Sequence, residues 1–384
     1  MAAMPAEPAD NAVPAVSAVS LFEERFEPHG GSSERARSCR VAVFGASGFA
    51  GAELLRICAA HPQLEVVAAT GDSMAGKTVA EVYPSLAGAY PHSEFLPVSP
   101  QAADGCDLVF CALPHGASQD LIAELRGGAA HVVDLAADFR LPDPGLYPQW
   151  YGEAHRAPEL LGEFVYGLPE LFRETIRGAE LVAAPGCYVT AASLALAPLL
   201  AAGTVEPQGI IVDAASGVSG AGRAATAGTS FCAVDESFTA YGLLDHRHTP
   251  EIEMALSEHS GKSAQVLFTP HLAPMNRGIL ATCYARPAAV AGNCSTERVL
   301  GLLAEAYRDE PFVVVDERPP STKATLGSNS VHLTARADPR TGWVMAVAAL
   351  DNLVKGAAGQ AVQCANLSLG LDETAGLTTT GVYP

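Results

Sequence analysis

The sequence predicts an α/β protein: a Rossmann-type, doubly wound parallel sheet followed by a second, mixed α+β domain. Three observations predict it. A glycine-spaced segment, 45–51, lies between a strand-like run and a helical one. Short apolar runs alternate with segments of helical period as far as residue 186, the rhythm of βαβ units. From Cys187 onward that rhythm gives way to strand-like runs set around a Gly/Ser/Ala-rich loop.

The elements follow in order. Residues 1–38 are rich in Ala, Pro, Ser and Glu without a sustained period, which predicts a disordered tail. Residues 40–44 form the first strand. Residues 49–60 carry Leu54, Leu55 and Cys58 at helical spacing, and His61-Pro62 ends that helix. Strands are predicted at 64–69, 107–112 and 131–135, with a helix over 117–126 between the last two. A helix over 188–201 leads to a strand at 210–213 and the loop 216–230. Strand-like runs recur at 265–268, 278–284, 312–316 and 343–350, and 351–369 reads as one helix. The predicted organisation is a tail (1–38), a dinucleotide-binding domain (39–186), a catalytic and dimerisation domain (187–350) and a C-terminal helix (351–384) returning to the dinucleotide-binding domain.

Composition narrows the function. At about 150 residues per domain, 384 residues suggest two domains or three. The chain has 23 Lys+Arg against 42 Asp+Glu, a formal net charge of −19, so it repels nucleic acid and anionic lipid. A small anionic substrate held by a few arginines stays open. The nine cysteines are scattered without a CxxC pair, which predicts reduced thiols and a cytoplasmic protein. The apolar stretch 181–203 holds Pro185-Gly186 and Pro198 and lacks basic flanks, so it reads as a buried helix and not a membrane span.

Gly45, Ser47, Gly48, Phe49, Ala50 and Gly51 form the loop between the first strand and helix, where small residues admit a pyrophosphate to a helix N-terminus. An NAD site places an acidic residue about 20 residues on, at the end of the second strand. Here the strand ends at Thr70-Gly71, and Asp72 comes late among Thr70, Ser73 and Lys77. Hydroxyls and a lysine suit a 2′-phosphate, so NADP(H) is the expected cofactor. Cys187 follows Ala184-Pro185-Gly186 and opens an apolar helix, an environment that favours thiolate and marks it as the nucleophile. His246 and His248 precede a helix whose expected cap is Thr249, with Pro250 as its first residue. His248 is the expected proton-transfer group and His246 a substrate or cofactor contact. A His-x-His metal site lacks a third ligand, and none is expected.

With these residues in view, the chain resembles the N-acetyl-gamma-glutamyl-phosphate reductase family, type 1, of the aspartate-semialdehyde-dehydrogenase-like superfamily. The resemblance runs from residue 40 to 384. It rests on GASGFAG (45–51), LPHG (113–116), DLAADFRL (134–141), YGLPEL (166–171), APGCY (184–188), SGVSGAGR (216–223), AYG…HRHTPE (240–251), GSN (327–329) and DNLVKGAAGQAVQ (351–363). Val189 stands where the family usually has Pro and leaves the cysteine and its helix start intact. The resemblance implies NADPH-dependent reduction of N-acetyl-γ-glutamyl phosphate through a cysteine thioester, a step of arginine biosynthesis. It further implies Ser216, Gly217 and Asn352 at the cofactor, and Arg140, Arg223 and Tyr241 at the substrate. A homo-oligomer, dimer or tetramer, is expected, with the acyl-phosphate substrate and phosphate as small-molecule partners. The related reductases of aspartyl phosphate and carrier-linked aminoadipyl phosphate share the fold, and a non-catalytic NADP-binding regulator is the reading from another class.

Overall fold

A computed structural model describes residues 38–125, 130–289 and 294–384. The predicted tail, all but Ser38, lies outside them, as does Arg126 at the end of a predicted helix. The first sheet contains β1 (Cys39–Phe44), β2 (Leu64–Ala69), β3 (Leu108–Cys111), β4 (His131–Asp134), β5 (Val165–Tyr166) and β6 (Leu181–Ala183). All six strands are parallel, in the order β2-β1-β3-β4-β6-β5. The strand order reverses between β1 and β3, so the loops leaving these two strands part and open a crevice at their carboxyl ends.

The second sheet contains β7 (Ile210–Ser216), β8 (Thr239–Ala240), β9 (Val266–Leu272), β10 (Ile279–Ala285), β11 (Val313–Val315), β12 (Val331–Asp338) and β13 (Trp343–Leu350). It is mixed, in the order β11-β12-β13-β10-β7-β9-β8. The helix Cys187–Ala201 is apolar almost all round and packs on one face of this sheet, with Leu194, Leu199, Val212, Ala281 and Ala346 in a common core. Among the described residues no helix is long and apolar enough to cross a membrane.

Several elements differ from the sequence reading. The structure adds β5, β6, β8 and β12, and the helices Tyr147–Tyr151, Pro169–Ile176 and Thr296–Ala306. Residues 351–369 are not one helix. The Asp351 carboxylate accepts the Leu353 and Val354 N–H groups at 2.8 and 3.2 Å, closing a turn. A π-helical turn, Val354–Ala358, follows, with Gly356 N–H bonded to Asp351 O. Only then does the helix Gly359–Ser368 begin, and its Ala361, Val362 and Ala365 join the first sheet's core beside Val43 and Leu54. The π-turn is held by Lys355, fully buried, whose Nζ donates to Glu170 Oε1 at 2.5 Å and Gln363 Oε1 at 2.8 Å. The turn brings Gly356 against Cys187, close enough that a Cβ there would lie 2.7 Å from Cys187 Cβ.

Candidate active site

The dinucleotide loop is built from backbone. Gly45 takes φ +76°, where a Cβ would collide with Ala112 O, and a Cβ on Gly51 would collide with Gly45 O. The helix Phe49–Ala59 starts after Gly48 with no side-chain cap, leaving its first amides to a ligand. Such a cradle fits a dinucleotide pyrophosphate. Thr70 is buried, and its Oγ1 accepts Gly45 N–H at 3.3 Å, so it braces the loop from within. Ser47 packs on Gly71 at the end of β2, and Ser73 is exposed in the next turn. The Asp72 carboxylate accepts Val98 N–H at 2.7 Å, which turns it to a structural bond.

The second wall of the crevice is the 113–116 segment after β3. Asp138 holds it, accepting Gly116 N–H at 2.8 Å and the Ser118 hydroxyl at 2.6 Å. Asp134 also receives Ser118 Oγ, at 3.1 Å. Burial, and then the charge of Asp138, push the Asp134 carboxyl up to about 7. Burial opposes ionisation of Asp138 too, but the hydrogen bonds of His115, Ser118 and Gly116 hold it below the usual range.

Cys187 is the first residue of its helix, partly exposed, with Gly186 as cap. His248 is buried and lies directly on Gly186, where any Cβ would strike its imidazole. Glu251 organises the elbow. Its Oε1 accepts Gly186 N–H at 2.9 Å and the Tyr166 hydroxyl at 2.8 Å, while Oε2 meets Arg140 Nη1 at 3.3 Å. Arg140 also donates to Leu135 O at 2.7 Å, and its buried Nε has no partner. The rings of His246 and His248 are 4.8 Å apart, and Tyr188 Oη meets Tyr241 Oη at 3.1 Å.

The electrostatics correct the expectation of a ready thiolate. Burial pushes the Cys187 thiol up to about 11, although the Tyr188 amide and the charge of Arg140 pull it down. Burial, and then His246, drive the imidazole of His248 well below its ordinary range. Burial thus favours the uncharged form of both groups. The helix also begins at His248, earlier than the Thr249 cap predicted, because His248 N–H is taken by His246 Nδ1 at 3.1 Å and Thr249 N–H by His246 O at 2.9 Å.

The remaining predicted residues divide between the two halves of the cleft. Asn352 Oδ1 accepts Gly278 N–H at 2.7 Å and its Nδ2 donates to Ser219 Oγ at 2.9 Å, pinning the loop that carries Ser216 and Gly217. Ser216 is buried and Gly217 N–H bonds Gly278 O. Arg223 is half-buried, and its charge acts on Tyr83, whose hydroxyl donates to Ser47 O at 2.7 Å. Among the described residues no cluster of three or more His, Cys, Asp or Glu is arranged to hold a metal. The sequence reading singled out the YGLPEL and HRHTPE words but missed Glu251 and Tyr166 as the braces of the elbow. The signal available for Glu251 was an acidic residue in the first turn of a helix opened by two histidines.

Two family models match the chain: the semialdehyde dehydrogenase NAD binding domain over residues 40–179, and the semialdehyde dehydrogenase dimerisation domain over 187–352. The N-acetyl-gamma-glutamyl-phosphate reductase of Symbiobacterium thermophilum is 50% identical over 353 residues, covering 90% of this chain and 99% of that protein. Its counterpart from Pseudomonas putida is 45% identical over 349 residues, at 90% and 99% coverage. The chain belongs to the N-acetyl-gamma-glutamyl-phosphate reductase family. In fold it resembles aspartate semialdehyde dehydrogenase II of Vibrio cholerae, with TM-score 0.66 and 16% identity over 87% of this chain and 99% of that one. The Candida albicans aspartate semialdehyde dehydrogenase, solved with NADP, gives TM-score 0.62 at 16% identity over 86% and 98%.

Proposed function

We propose that the chain reduces N-acetyl-γ-glutamyl phosphate to N-acetylglutamate 5-semialdehyde with NADPH, in the cytoplasm, as a step of arginine biosynthesis. The observation that carries this reading is Cys187 at a helix start, against a buried neutral imidazole, in a family of reductases of that name. His248 accepts the thiol proton as Sγ attacks the acyl carbon. The carbon–oxygen bond to phosphate breaks, its electron pair leaves with phosphate, and a thioester remains on Cys187. Bound NADPH supplies the hydride for the reduction of that thioester. The amides at the start of the Cys187 helix stabilise the oxyanion so formed, and as it collapses to the aldehyde the carbon–sulfur bond breaks, its electron pair returns to Sγ, and His248 gives the proton back to the sulfur. Glu251 keeps Gly186 and Arg140 in place throughout.

Gly45, Ser47, Gly48, Phe49, Ala50 and Gly51 would hold the pyrophosphate, with Thr70 bracing their loop. Ser73 stands at the ribose end, and Ser216, Gly217 and Asn352 at the nicotinamide end. The Asp72 carboxylate is engaged by Val98 N–H, and the hydroxyls and lysine around it, Thr70, Ser73 and Lys77, suit a 2′-phosphate. We also assign a homodimer to the open face of the second sheet. Ile211, Tyr284, Trp343 and Met345 line a depression of about 400 Å³ on that face, within the segment matched by the dimerisation-domain model.

The test is phosphate-dependent reduction of NADP by N-acetylglutamate 5-semialdehyde, run beside aspartate semialdehyde and beside NAD. A higher kcat/KM for the acetylated aldehyde and for NADP is expected. Preference for aspartate semialdehyde would move the chain to the related activity, and no turnover with either aldehyde would reject an enzymatic role.

A further inference from the structure

The nucleophile and the C-terminal helix are anchored to different sheets. The Cys187 helix packs on the second sheet, and the helix Gly359–Ser368 packs in the core of the first. Segment 351–358 joins the two. At its start Asn352 holds Gly278 and Ser219. Further on, Gly356 lies on Cys187, where an added Cβ would stand 2.7 Å from Cys187 Cβ and 3.3 Å from its Cα. One turn later, Gln360 Nε2 donates to Thr190 Oγ1 at 2.9 Å, on the face of the helix that carries Cys187.

The π-turn sets the register of these contacts. Gly356 N–H bonds Asp351 O at 2.9 Å and Ala358 N–H bonds Leu353 O at 2.8 Å, so the turn takes up one residue more than an α-helical one. A regular helix would rotate everything before the turn by about 100° around the axis and carry Gly356 and Asn352 off their partners. Lys355 marks the wide turn. Its Nζ reaches Gln363 Oε1 at 2.8 Å. In a regular α-helix residues 355 and 363 point about 80° apart, but with one residue taken up by the turn they stand within about 20° of one face. The other Nζ contact is Glu170 Oε1 at 2.5 Å, and both side chains are fully buried. Gln363 has both ends of its amide engaged: Oε1 also accepts Asn329 Nδ2 at 3.0 Å, and Nε2 donates to Glu170 Oε1 at 3.1 Å and Glu373 Oε1 at 2.8 Å. A buried ion pair adds little to stability, because desolvation offsets its attraction, and its best use is to fix a register.

We propose that Lys355 and Glu170 are positioning residues for hydride transfer: by holding the π-turn they fix Cys187, which carries the acyl group, relative to Asn352 at the nicotinamide end. This rests on the reductase reading above and on the place of Asn352 in it. Both residues act through the backbone of the turn, since they are buried and it is Gly356 and Asn352 that make the contacts. Hydride passes between the carbon bound to Sγ and the nicotinamide ring. A misplacement of about 1 Å at such a distance costs on the order of 10²-fold in rate. The register set by the turn therefore bears on kcat more than on the binding of any one reactant.

The pair can be removed without leaving a buried charge. Lys355→Met together with Glu170→Leu puts apolar side chains in place of both, an exchange that buried ion pairs often tolerate with little loss of stability. In phosphate-dependent reduction of NADP by N-acetylglutamate 5-semialdehyde, kcat of this double variant is expected to fall roughly 10- to 100-fold, with the KM of each reactant within about threefold of wild type. Deuterium on the aldehyde carbon should then slow kcat by a full primary isotope effect, because hydride transfer has become the slow step. Without cofactor, iodoacetamide should label Cys187 at least about threefold faster than in the wild type, since Gly356 no longer confines its Cβ. Gln363→Met keeps the ion pair and removes the bond across the wide turn. It should show the same changes at smaller size, and it carries the test if the double variant does not fold. A kcat near wild type in a folded variant overturns the proposal, and so does a loss of kcat without an isotope effect, which places the fault at another step. Unchanged labelling overturns it too, because the turn then does not hold Cys187. A rise confined to the KM for NADP overturns it and makes the pair part of the cofactor site. If the wild type shows no phosphate-dependent turnover, the functional reading fails by itself. Labelling of the same variants then still decides whether the turn positions the thiol: faster labelling supports it, and equal rates reject it.

Discussion

At the dinucleotide loop the polar groups aimed at a ligand come from the backbone. Glycines admit the chain to its own neighbours, and the Thr70 hydroxyl is turned inward to Gly45. At Cys187 the reverse holds. Gly186 is fixed by a carboxylate from another helix, that carboxylate is fixed by Tyr166 and Arg140, and the buried imidazole of His248 lies against Gly186. A diphosphate that only has to be held can be met by fixed amides. A thiol that must lose and regain a proton needs groups that titrate, and those have to be gathered from distant parts of the chain.

The largest effect should come from breaking the second region alone. Cys187→Ala should abolish turnover and leave NADPH binding intact, measured by fluorescence titration. Loss of NADPH binding in this variant would show that the two regions are not independent. Next comes His248→Asn, expected to lower kcat by roughly 10²–10⁴-fold, the range of a general acid–base contribution. His246→Asn should act mainly on KM. Full loss of kcat at His246 with near-normal turnover at His248 would exchange their roles.

Breaking the braces sharpens the contrast. Glu251→Ala removes the partner of a buried guanidinium and of Gly186 N–H. Removing one member of a buried ion pair costs about 3–5 kcal/mol, so thermal unfolding should begin well below wild type. An unshifted melting curve would mean that Arg140 finds another partner. Gly45→Ala damages the first region through the backbone, at a φ of +76° where such strain costs about 1–3 kcal/mol before the collision with Ala112 O is counted. It should weaken NADPH binding while iodoacetamide still labels Cys187 at the wild-type rate.

The same contrast explains what was legible in the sequence. The glycine loop is contiguous, and Cys187 and the histidine pair each sit in a short local word, so all three could be located by reading along the chain. The braces could not be. Glu251 reaches Gly186 across 65 residues and Tyr166 across 85, and nothing local announces either contact. The π-turn was read through as α-helix because its cause, the buried Lys355–Glu170 pair, is tertiary. β12 is different. Val331, Leu333 and Ala335 alternate with His332, Thr334 and Arg336, a period-two pattern that was there to be found.

The smallest effect, and the one that compares the regions most directly, is on stability against pH. Asp134, behind the nucleotide crevice, has its folded pKa raised to about 7 by burial and then by Asp138. An unfolded aspartate titrates near 3.9, so between about 4 and 7 the folded state binds the extra proton, and stability falls as pH rises through that window. His246, in the catalytic half, has its folded pKa lowered to about 4 by burial and then by Arg247. An unfolded histidine titrates near 6.5, so between about 4 and 6.5 the unfolded state binds the extra proton, and stability rises with pH. The two slopes oppose each other over a shared range and partly cancel. Asp134→Asn should therefore steepen the rise in melting temperature between pH 4 and 6.5. His246→Asn should weaken that rise or turn it into a fall that continues to about pH 7. Scanning calorimetry of the three proteins across pH 4–8 reads both changes. If the two variants changed the slope in the same direction, at least one of these groups would have to titrate in the folded protein on the other side of its unfolded value.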